Sequence, residues 1–287
     1  MYLNEFKSLK SLNLDNHKFY SIHPDALNSI DFHHLTDISL SNNAIQSLNN
    51  AFANMANLEC LNLSLNEIGH VSPNAFRGLT NLKVLNLSSN RIEFLADKTL
   101  FNDLTNLIQL NVSKQSIGQK SLKDCLKLFT NLKNLKILNL SMLRFGEPQE
   151  LNLNSLSFLS SLEKFITYGN KLCKINPVFE LNVLSKLTHL DLANNGIKEL
   201  SGNEFEHLSG LKSLDLRLNQ IENLKENVFS QLSSLQTLDL QKNPFKAINA
   251  KAFRGLDSIE RLIIDVKSYD LIDLKNLTFN LNCLVKI

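Results

Sequence analysis

The sequence predicts an α/β solenoid, in which 287 residues wind into a curved, horseshoe-like array of stacked turns. We expect a parallel β-sheet on the concave face, with loops and short helical turns on the convex side. Three observations predict this fold. The pattern L-x-x-L-x-L-x-x-N recurs at intervals of 23 to 28 residues, Phe recurs in the second half of most copies, and Leu and Asn are abundant while Gly (9) and Pro (5) are scarce. Units this short bury their apolar side only by stacking on their neighbours.

Each copy of the pattern begins with a short strand. In L-K-S-L-D-L-R-L-N, residues 211–219, Leu214 and Leu216 alternate with polar residues, which is the period of a strand with one buried face. Strands of this kind, stacked in parallel, form the sheet of the concave face. Eleven copies fit the pattern, and their first apolar residues are Leu9, Leu35, Leu58, Leu82, Leu107, Leu135, Leu162, Leu187, Leu211, Leu235 and Ile259.

The ninth position of the pattern is usually Asn. A buried amide there can satisfy backbone groups of the turn that leaves the strand and of the neighbouring turn. We therefore expect a structural ladder formed by Asn43, Asn66, Asn90, Asn170, Asn195, Asn219 and Asn243. Gln115 and Leu143 stand at this position in two central copies, so we expect the ladder to break there. These copies, which run to 28 and 27 residues, lie in an irregular central segment at about 107–161, where we expect an altered local curvature.

The second half of most repeats carries a small or β-branched residue followed by Phe, as in A-F-R-G-L-T-N-L at 75–82 and A-F-R-G-L-D-S-I at 252–259. Apolar positions follow this Phe at a spacing of three residues. We expect the Phe side chains to stack as a core spine beneath the convex side. The spine is expected to contain Phe52, Phe76, Phe101, Phe205, Phe229 and Phe253.

Composition and motifs argue against catalysis, a cofactor or a metal site. The 30 basic and 28 acidic residues leave a charge of +2, which is too small to indicate nucleic acid or an anionic membrane as partner. The sequence contains no P-loop, dinucleotide fingerprint, G-x-S-x-G or H-E-x-x-H motif. Cys60, Cys125, Cys173 and Cys283 have neither metal-site nor disulfide-framework spacing, so we expect free thiols. No apolar run reaches the roughly 18 residues that a membrane span needs.

The 24-residue copies with their Phe resemble the typical class of leucine-rich repeats, which is common in extracellular animal proteins. The irregular central repeats make the chain similar to a fragment of a Toll-like receptor ectodomain. This resemblance implies a non-catalytic module that recognises a protein or other macromolecular ligand. It also implies innate immune signal transduction and a cell-surface location as part of a longer membrane glycoprotein. A protein ligand or co-receptor is the expected partner, and dimerisation of the full-length protein stays open.

Two other functions stay open. One is an intracellular leucine-rich repeat scaffold or adaptor in the cytoplasm, which suits free thiols and the lack of the cysteine-rich caps of extracellular arrays. The other is a secreted matrix or adhesion repeat protein. In each case residues 1–287 are expected to form a single array of about eleven repeats, truncated at both ends, because Phe6 and Leu9 begin the chain in the second half of a repeat.

The third, fifth and seventh positions of the pattern face outward on the concave sheet. The fifth position is mostly Asn or Ser in the early repeats and becomes Asp191, Asp215 and Asp239 in later ones. These three carboxylates are expected to stand in a row on adjacent strands, about 5 Å apart. The cost of aligning like charges is expected to be offset by basic residues close in register, which are His189, Arg217 and Lys242.

The row of Asp residues lies beside F-I-T-Y-G-N, which places Ile166 and Tyr168 on the concave face as an exposed group of the kind that anchors interfaces. We therefore expect a protein-binding patch within residues 164–241. Its candidate residues are Lys164, Ile166, Tyr168, His189, Asp191, Asp215, Arg217, Asp239 and Gln241. Alternatively, L-D-L is an ordinary variant of the L-N-L strand and binds nothing. The columns contain no basic stripe that would indicate nucleic acid.

Acceptors of the N-x-[ST] type for N-glycosylation are Asn62, Asn86, Asn111, Asn139 and Asn276. Five is about the number that chance predicts from 38 Asn and 37 Ser plus Thr, so the count does not indicate secretion. Four of the five occupy the fifth position of successive repeats. If the protein enters the secretory pathway, sugars at these positions would cover the early concave face and leave the later repeats for a partner.

Overall fold

A computed structural model describes residues 8–23, 27, 34–53, 55–93, 99–116, 120–177, 184–246, 248–265 and 284–286, the last three by their backbone alone. The chain divides into two compact units. Unit 1 comprises Met1–Lys120 and Asp124–Arg144, and unit 2 comprises Ser121–Lys123 and Phe145–Ile287. Asn276 and Cys283 lie outside the described residues.

Unit 1 contains a parallel sheet built from one short strand per repeat. The strands of this unit are β1 (Ser11–Asn13), β2 (Asp37–Ser39), β3 (Ser47–Leu48), β4 (Cys60–Asn62), β5 (His70–Val71), β6 (Val84–Asn86), β7 (Gln109–Asn111) and β8 (Ile137–Asn139). They pair in the order β1–β2–β4–β6–β7–β8, and each pair joins equivalent positions of consecutive repeats, as in Leu12 with Ile38. A second, two-stranded parallel sheet pairs β3 with β5.

Unit 2 repeats this architecture. Its strands are β9 (Gln149–Asn152), β10 (Lys164–Ile166), β11 (Leu172–Asn176), β12 (His189–Asp191), β13 (Ser213–Asp215), β14 (Thr237–Asp239), β15 (Arg261–Ile264) and β16 (Leu284–Lys286). Strands β10, β12, β13, β14, β15 and β16 pair in that order. A separate parallel pair, β9 with β11, has an irregular register between Leu172 and Lys174.

The described helices of the chain are short, with an α-helix at Leu122–Leu126 and 3-10 turns at Lys127–Phe129, Leu153–Leu156 and Ala250–Phe253.

The core forms because the three-residue strands bury their central Leu, Ile or Phe, while most of the flanking side chains stay at least partly exposed. Leu61, Leu85 and Leu214, for example, are at most 1% exposed. The Phe spine lies beneath, with ring centroids 6.1 Å apart for Phe76 and Phe101 in unit 1 and 6.0 Å apart for Phe205 and Phe229 in unit 2. Stacked rings at this spacing bury large apolar area in the repeats that carry them. The predicted solenoid with its parallel sheet, short helical turns and Phe spine is confirmed.

The ninth-position amides join consecutive turns within each unit. Nδ2 of Asn66 donates to the carbonyl of Leu63 at 3.1 Å and to that of Leu40, in the preceding repeat, at 2.9 Å. Its Oδ1 accepts the N–H of Ile45 at 3.1 Å. One buried side chain thus satisfies three backbone groups that water cannot reach. The residues that bond in the same way are Asn43, Asn90, Asn195, Asn219 and Asn243.

Asn170 also belongs to this network, since its Nδ2 donates to the hydroxyl of Thr167 at 2.9 Å and its own N–H donates to Oδ1 of Asn195 at 2.8 Å. Thr167 takes the place of the usual sixth-position Leu, and both residues are fully buried. The core of this repeat therefore contains the buried hydroxyl of Thr167, and the ladder residue Asn170 is its hydrogen-bond partner.

The expected break of the ladder at Gln115 is wrong. Gln115 is 1% exposed, and its Nε2 donates to the carbonyl of Leu87 at 2.7 Å while its Oε1 accepts the N–H of Ile92 at 3.0 Å. The glutamine amide carries the same donor and acceptor as asparagine, and its extra methylene still lets both groups reach the preceding repeat. Leu143, by contrast, is buried as an apolar side chain without an amide.

Candidate functional site

The candidate site is the sheet face of unit 2, defined here as the outward side chains of β10 and β12–β14 with the seventh-position residues that follow them. Asp191, Asp215 and Asp239 occupy equivalent positions on paired strands, as the sequence predicts. One oxygen of each carboxylate accepts the backbone N–H two residues later, at 2.9 Å from Ala193, 3.1 Å from Arg217 and 3.0 Å from Gln241. These bonds hold the three carboxylates in the same orientation.

The centre of the row is occupied by Asp215, whose second oxygen lies 3.0 Å from Nε of Arg217. The pKa of Asp215 is raised to about 6, chiefly by burial and also by the charges of Asp191 and Asp239, while the Arg217 N–H and guanidinium act in the opposite direction. Burial also raises the pKa of Asp191. The carboxylates therefore differ from ordinary solvated surface groups, because the fold partly removes their water.

Asp239 is the most buried of the three, with 8% of its surface exposed. It pairs in register with Ile263 of β15, itself only 9% exposed, so an apolar neighbour covers one side of the carboxylate. Among the described residues, Arg217 alone of the three expected basic neighbours forms an ion pair with the row, and neither His189 nor Lys242 does. Arg217 lies directly beside Asp215, and its charge lowers the pKa of both Asp215 and Asp191.

Lys164 and His189 stand next to the acidic row, at the third position of two paired strands. Lys164 pairs in register with His189, and the Nδ1 of His189 lies 2.8 Å from the Thr188 hydroxyl. Burial lowers the pKa of His189, and the nearby charges of Lys164 and Lys212 lower it further. Lys212 was not among the sequence-predicted residues, because it lies at the second position of the pattern, outside the three columns assigned to the face. The repeat pattern could have placed it there, because Lys212 directly precedes Ser213, which pairs in register with His189.

Ile166 and Tyr168 are half-buried rather than exposed, which corrects the expectation of an exposed apolar group. Ile166 pairs in register with Asp191, so the adjacent strand covers part of its side chain. Gln241 is likewise half-buried at the end of the row, and its N–H is held by Asp239. The face thus presents partly covered apolar side chains beside the charged columns.

The sheet face of unit 1 is nearly uncharged. The glycosylation acceptors Asn62, Asn86, Asn111 and Asn139 lie half-buried on successive strands, and each Oδ1 accepts the N–H of the Ser two residues later, at 3.0 to 3.2 Å. A shallow hollow of about 380 Å³ runs over this face, and Asp37 is the charged residue that lines it. Modification of these asparagines remains a prediction.

Cys60, Cys125 and Cys173 are free thiols in the structure. Cys60 is half-buried, and burial together with a hydrogen bond to Asp37 raises its pKa to about 11. Burial raises the pKa of Cys125 to about 12. Within the described part of the chain, no group of His, Cys, Asp and Glu is placed to hold a metal ion, and no helix has the length and apolar character of a membrane span.

Comparison with known proteins bears on the repeats first. The family model described as leucine rich repeat matches residues 7–68, 49–92, 160–221 and 209–266. A second model of the same repeat matches residues 81–107. A search of curated proteins finds no match.

Three solved structures show how the fold compares. The chain is similar to TLR13 in the TLR13–ssRNA13 complex, with 30% identity and a TM-score of 0.73 over 90% of this chain and 36% of that one. It is similar to a chain of the octameric complex of Latrophilin 3, Unc5D and FLRT2, where FLRT2 is the leucine-rich repeat component, with 26% identity and a TM-score of 0.69 over 87% of this chain and 72% of that one. Toll in the Drosophila Toll–Spatzle complex shares the fold, with 22% identity and a TM-score of 0.61 over 90% of this chain and 38% of that one.

The chain spans about a third of the length of TLR13 and of Toll as they were solved. The family models together match well over half of it, on repeats whose strands, amides and Phe residues have the structural roles described above. The chain belongs to the leucine-rich repeat family, and it resembles a piece of a Toll-like receptor ectodomain.

Proposed function

We propose that this chain is a non-catalytic recognition module of a cell-surface receptor ectodomain, and that it binds a protein ligand or co-receptor on the sheet face of unit 2. The observation that carries the proposal is the register of β10 and β12–β14, which sets the acidic row beside Lys164 and His189 and beside the apolar pair Ile166 and Tyr168. The proposed binding surface includes all nine candidate residues named from the sequence.

A mixed face of this kind favours protein as the ligand. Charges of both signs at fixed positions select partners with the complementary pattern, and a partly covered Tyr beside Ile gives an anchor that a partner can bury fully. The raised pKa of Asp215 marks a carboxylate that has already lost part of its hydration, so a cation from a partner meets a smaller desolvation cost there.

TLR13 was solved with single-stranded RNA, so nucleic acid is the main rival ligand. Three carboxylates at the centre of the face would repel a phosphate backbone, and Arg217 is engaged with Asp215. The Toll–Spatzle and FLRT2 complexes are assemblies with other proteins, which supports a protein partner for a face that lacks a basic stripe.

The proposed context is a single leucine-rich repeat array over residues 1–287 within a longer, glycosylated membrane receptor of innate immunity. The support is the similarity to TLR13, Toll and FLRT2. In this context the four acceptors of unit 1 carry sugars on its sheet face. The sheet face of unit 2, whose described strands carry no acceptor, stays open to a ligand.

Binding can be tested with the full chain against an array of secreted and cell-surface protein domains. For any domain that binds, the double variant Ile166→Ala, Tyr168→Ala should lower affinity at least about tenfold, as expected when anchoring residues are truncated. The matched control is Asn86→Ala, Ser88→Ala, at the fifth and seventh positions of unit 1, which should change affinity less than about twofold. An equal or larger effect of the control variant would move the site away from unit 2.

An intracellular scaffold is the second candidate, and the three free thiols of the described residues favour it because thiols persist in a reducing compartment. Treatment of the native protein with an N-glycosidase separates the two functions. A loss of mass establishes passage through the secretory pathway and excludes the cytoplasmic scaffold. An unchanged mass excludes the glycosylated receptor context, while leaving the binding test on the sheet face unaffected.

A further inference from the structure

A hollow of about 870 Å³ lies on the flank of unit 2, outside the sheet face. It crosses several consecutive repeats at the positions that follow the ladder amides, where β11 and the loops after Asn195 and Asn219 reach the surface. Its walls include the apolar Leu200 and Pro244, the amides of Gln220 and Asn223, and the exposed thiol of Cys173.

Positive charge predominates in this hollow. Lys174, Lys198 and Lys225 line it with exposed side chains, and within the described residues none of the three has a carboxylate within ion-pair distance. Glu199 and Glu222 are the acidic residues of the lining. Glu222 is already committed, because its Oε2 lies 2.5 Å from Nζ of Lys246, outside the lining.

Three ammonium groups around one concave surface repel one another and are stabilised when a partner brings negative charge. The exposed Pro244 supplies apolar contact, and Gln220 and Asn223 offer amide donors that suit carboxylate oxygens or a peptide backbone. Lysines without an ion-pair partner, together with apolar and amide contacts, match an acidic segment of a protein. A bare phosphate chain matches less well, because it would gain no binding energy from Glu199 or from the apolar contacts.

We propose that this flank hollow is a second docking site, which binds an acidic segment of a partner protein through Lys174, Lys198 and Lys225. The site is separate from the sheet face, so that one chain can hold two partners or two parts of one partner. Binding of this kind weakens with salt, because the lysines are exposed and screened.

The test uses the full chain and a fluorescein-labelled peptide of about ten glutamates, followed by fluorescence anisotropy. The triple variant Lys174→Glu, Lys198→Glu, Lys225→Glu should lower affinity at least about tenfold, since each contact changes from attraction to repulsion. The matched control reverses three exposed lysines elsewhere, Lys114→Glu, Lys123→Glu and Lys133→Glu, which alters net charge equally and should change affinity less than about threefold. Circular dichroism melts verify that both variants stay folded.

Cys173 gives an independent readout of the location. Its thiol is exposed in the hollow wall, so bound peptide should slow its alkylation by iodoacetamide, measured by peptide mapping, while the half-buried Cys60 of unit 1 keeps its rate. Unchanged alkylation of Cys173, or an equal loss of affinity in the control variant, overturns the proposal. Poly-uridylate of equal charge serves as the rival ligand. If it binds more tightly than the peptide, and if the Lys174, Lys198, Lys225 variant loses that binding, the proposal is overturned in favour of nucleic acid. If the alanine substitutions at Ile166 and Tyr168 fail to weaken binding on the sheet face, the peptide affinity and the alkylation rate of Cys173 still test this second site.

Discussion

The carboxylate of Asp215 lies 3.0 Å from the guanidinium of Arg217, two residues further along the same repeat, and its pKa is nevertheless about 6. A salt bridge normally lowers the pKa of an Asp, so burial and the neighbouring carboxylates outweigh Arg217 here. The ion pair therefore reduces a cost that the acidic row creates, and it does not by itself stabilise the fold.

The first prediction is that Asp215→Asn stabilises the protein at neutral pH. A carboxyl whose folded pKa exceeds its ordinary value of 3.8 favours folding when protonated, and this contribution is lost as pH rises through about 6. Asn removes the charge and, like Asn86 in unit 1, can still accept the N–H two residues later. We expect a gain of about 1 to 2 kcal/mol at pH 7.4 that shrinks towards pH 4, from the conversion of about 1.4 kcal/mol per pKa unit less the lost ion pair.

Urea unfolding at pH 7.4 and pH 4 measures this effect. The matched control is Asp257→Asn, an exposed carboxylate of unit 2, which should change the free energy of unfolding by less than about 0.5 kcal/mol at either pH. A loss of stability at pH 7.4 in Asp215→Asn would show that the Arg217 pair dominates after all.

The second prediction concerns Gln115, which continues the ladder in unit 1. Gln115→Leu leaves the N–H of Ile92 without its partner in a buried site, while the carbonyl of Leu87 keeps its hydrogen bond from Nδ2 of Asn90. An unsatisfied buried group costs about 1 to 3 kcal/mol, so we expect a loss of about that size in urea unfolding. Gln109→Leu, on the exposed side of β7, is the control and should cost less than about 0.5 kcal/mol. Similar costs for the two substitutions would mean that water replaces the Gln115 amide.

Repetition explains why the fold was predictable. The same side chains recur at the same positions, so one strand of alternating Leu residues predicts the phase of all the others, and the buried Phe and Asn follow from it. The role of Gln115 was not predicted, because a pattern that requires Asn at the ninth position does not show that the longer Gln amide reaches the same backbone atoms. The half-burial of Ile166 and the flank hollow escaped for another reason: each depends on how far neighbouring repeats stack, and no column of the pattern records that distance.

The third prediction is that Leu65→Asn stabilises unit 1. Leu65 follows its strand with φ of 56° and is 54% exposed, so a bulky side chain sits in the left-handed region with little burial to offset the strain. Asn42 occupies the equivalent position of the preceding repeat with φ of 54°. Asn tolerates this conformation, and we expect a gain of about 0.5 to 1.5 kcal/mol in thermal or urea unfolding.

The control for Leu65 is Ile108→Asn, since Ile108 is 36% exposed but does not have a positive φ. That substitution should be neutral or destabilising. If Leu65→Asn also lowers the free energy of unfolding, the Leu65 side chain contributes packing to the fold despite its exposure. A loss of partner binding in Leu65→Asn without loss of stability would instead identify this strained position as part of an interface.

The last prediction uses two glycines in the same local sequence, F-R-G-L. Gly78 and Gly255 have nearly equal φ values of 80° and 84°, so replacement by Ala costs both about 1 kcal/mol of left-handed strain. Their surroundings differ. A Cβ on Gly78 meets no atom within 4 Å, whereas one on Gly255 would lie 2.5 Å from the carbonyl oxygen of Ser230 and 2.8 Å from its Cα, which are backbone atoms that cannot rotate away. Gly255→Ala should therefore cost at least about 2 kcal/mol more than Gly78→Ala in urea unfolding, since overpacking against fixed atoms typically costs 1 to 3 kcal/mol. Equal costs would mean that the turn after Phe253 can shift away from Ser230 without disturbing the stacked repeats.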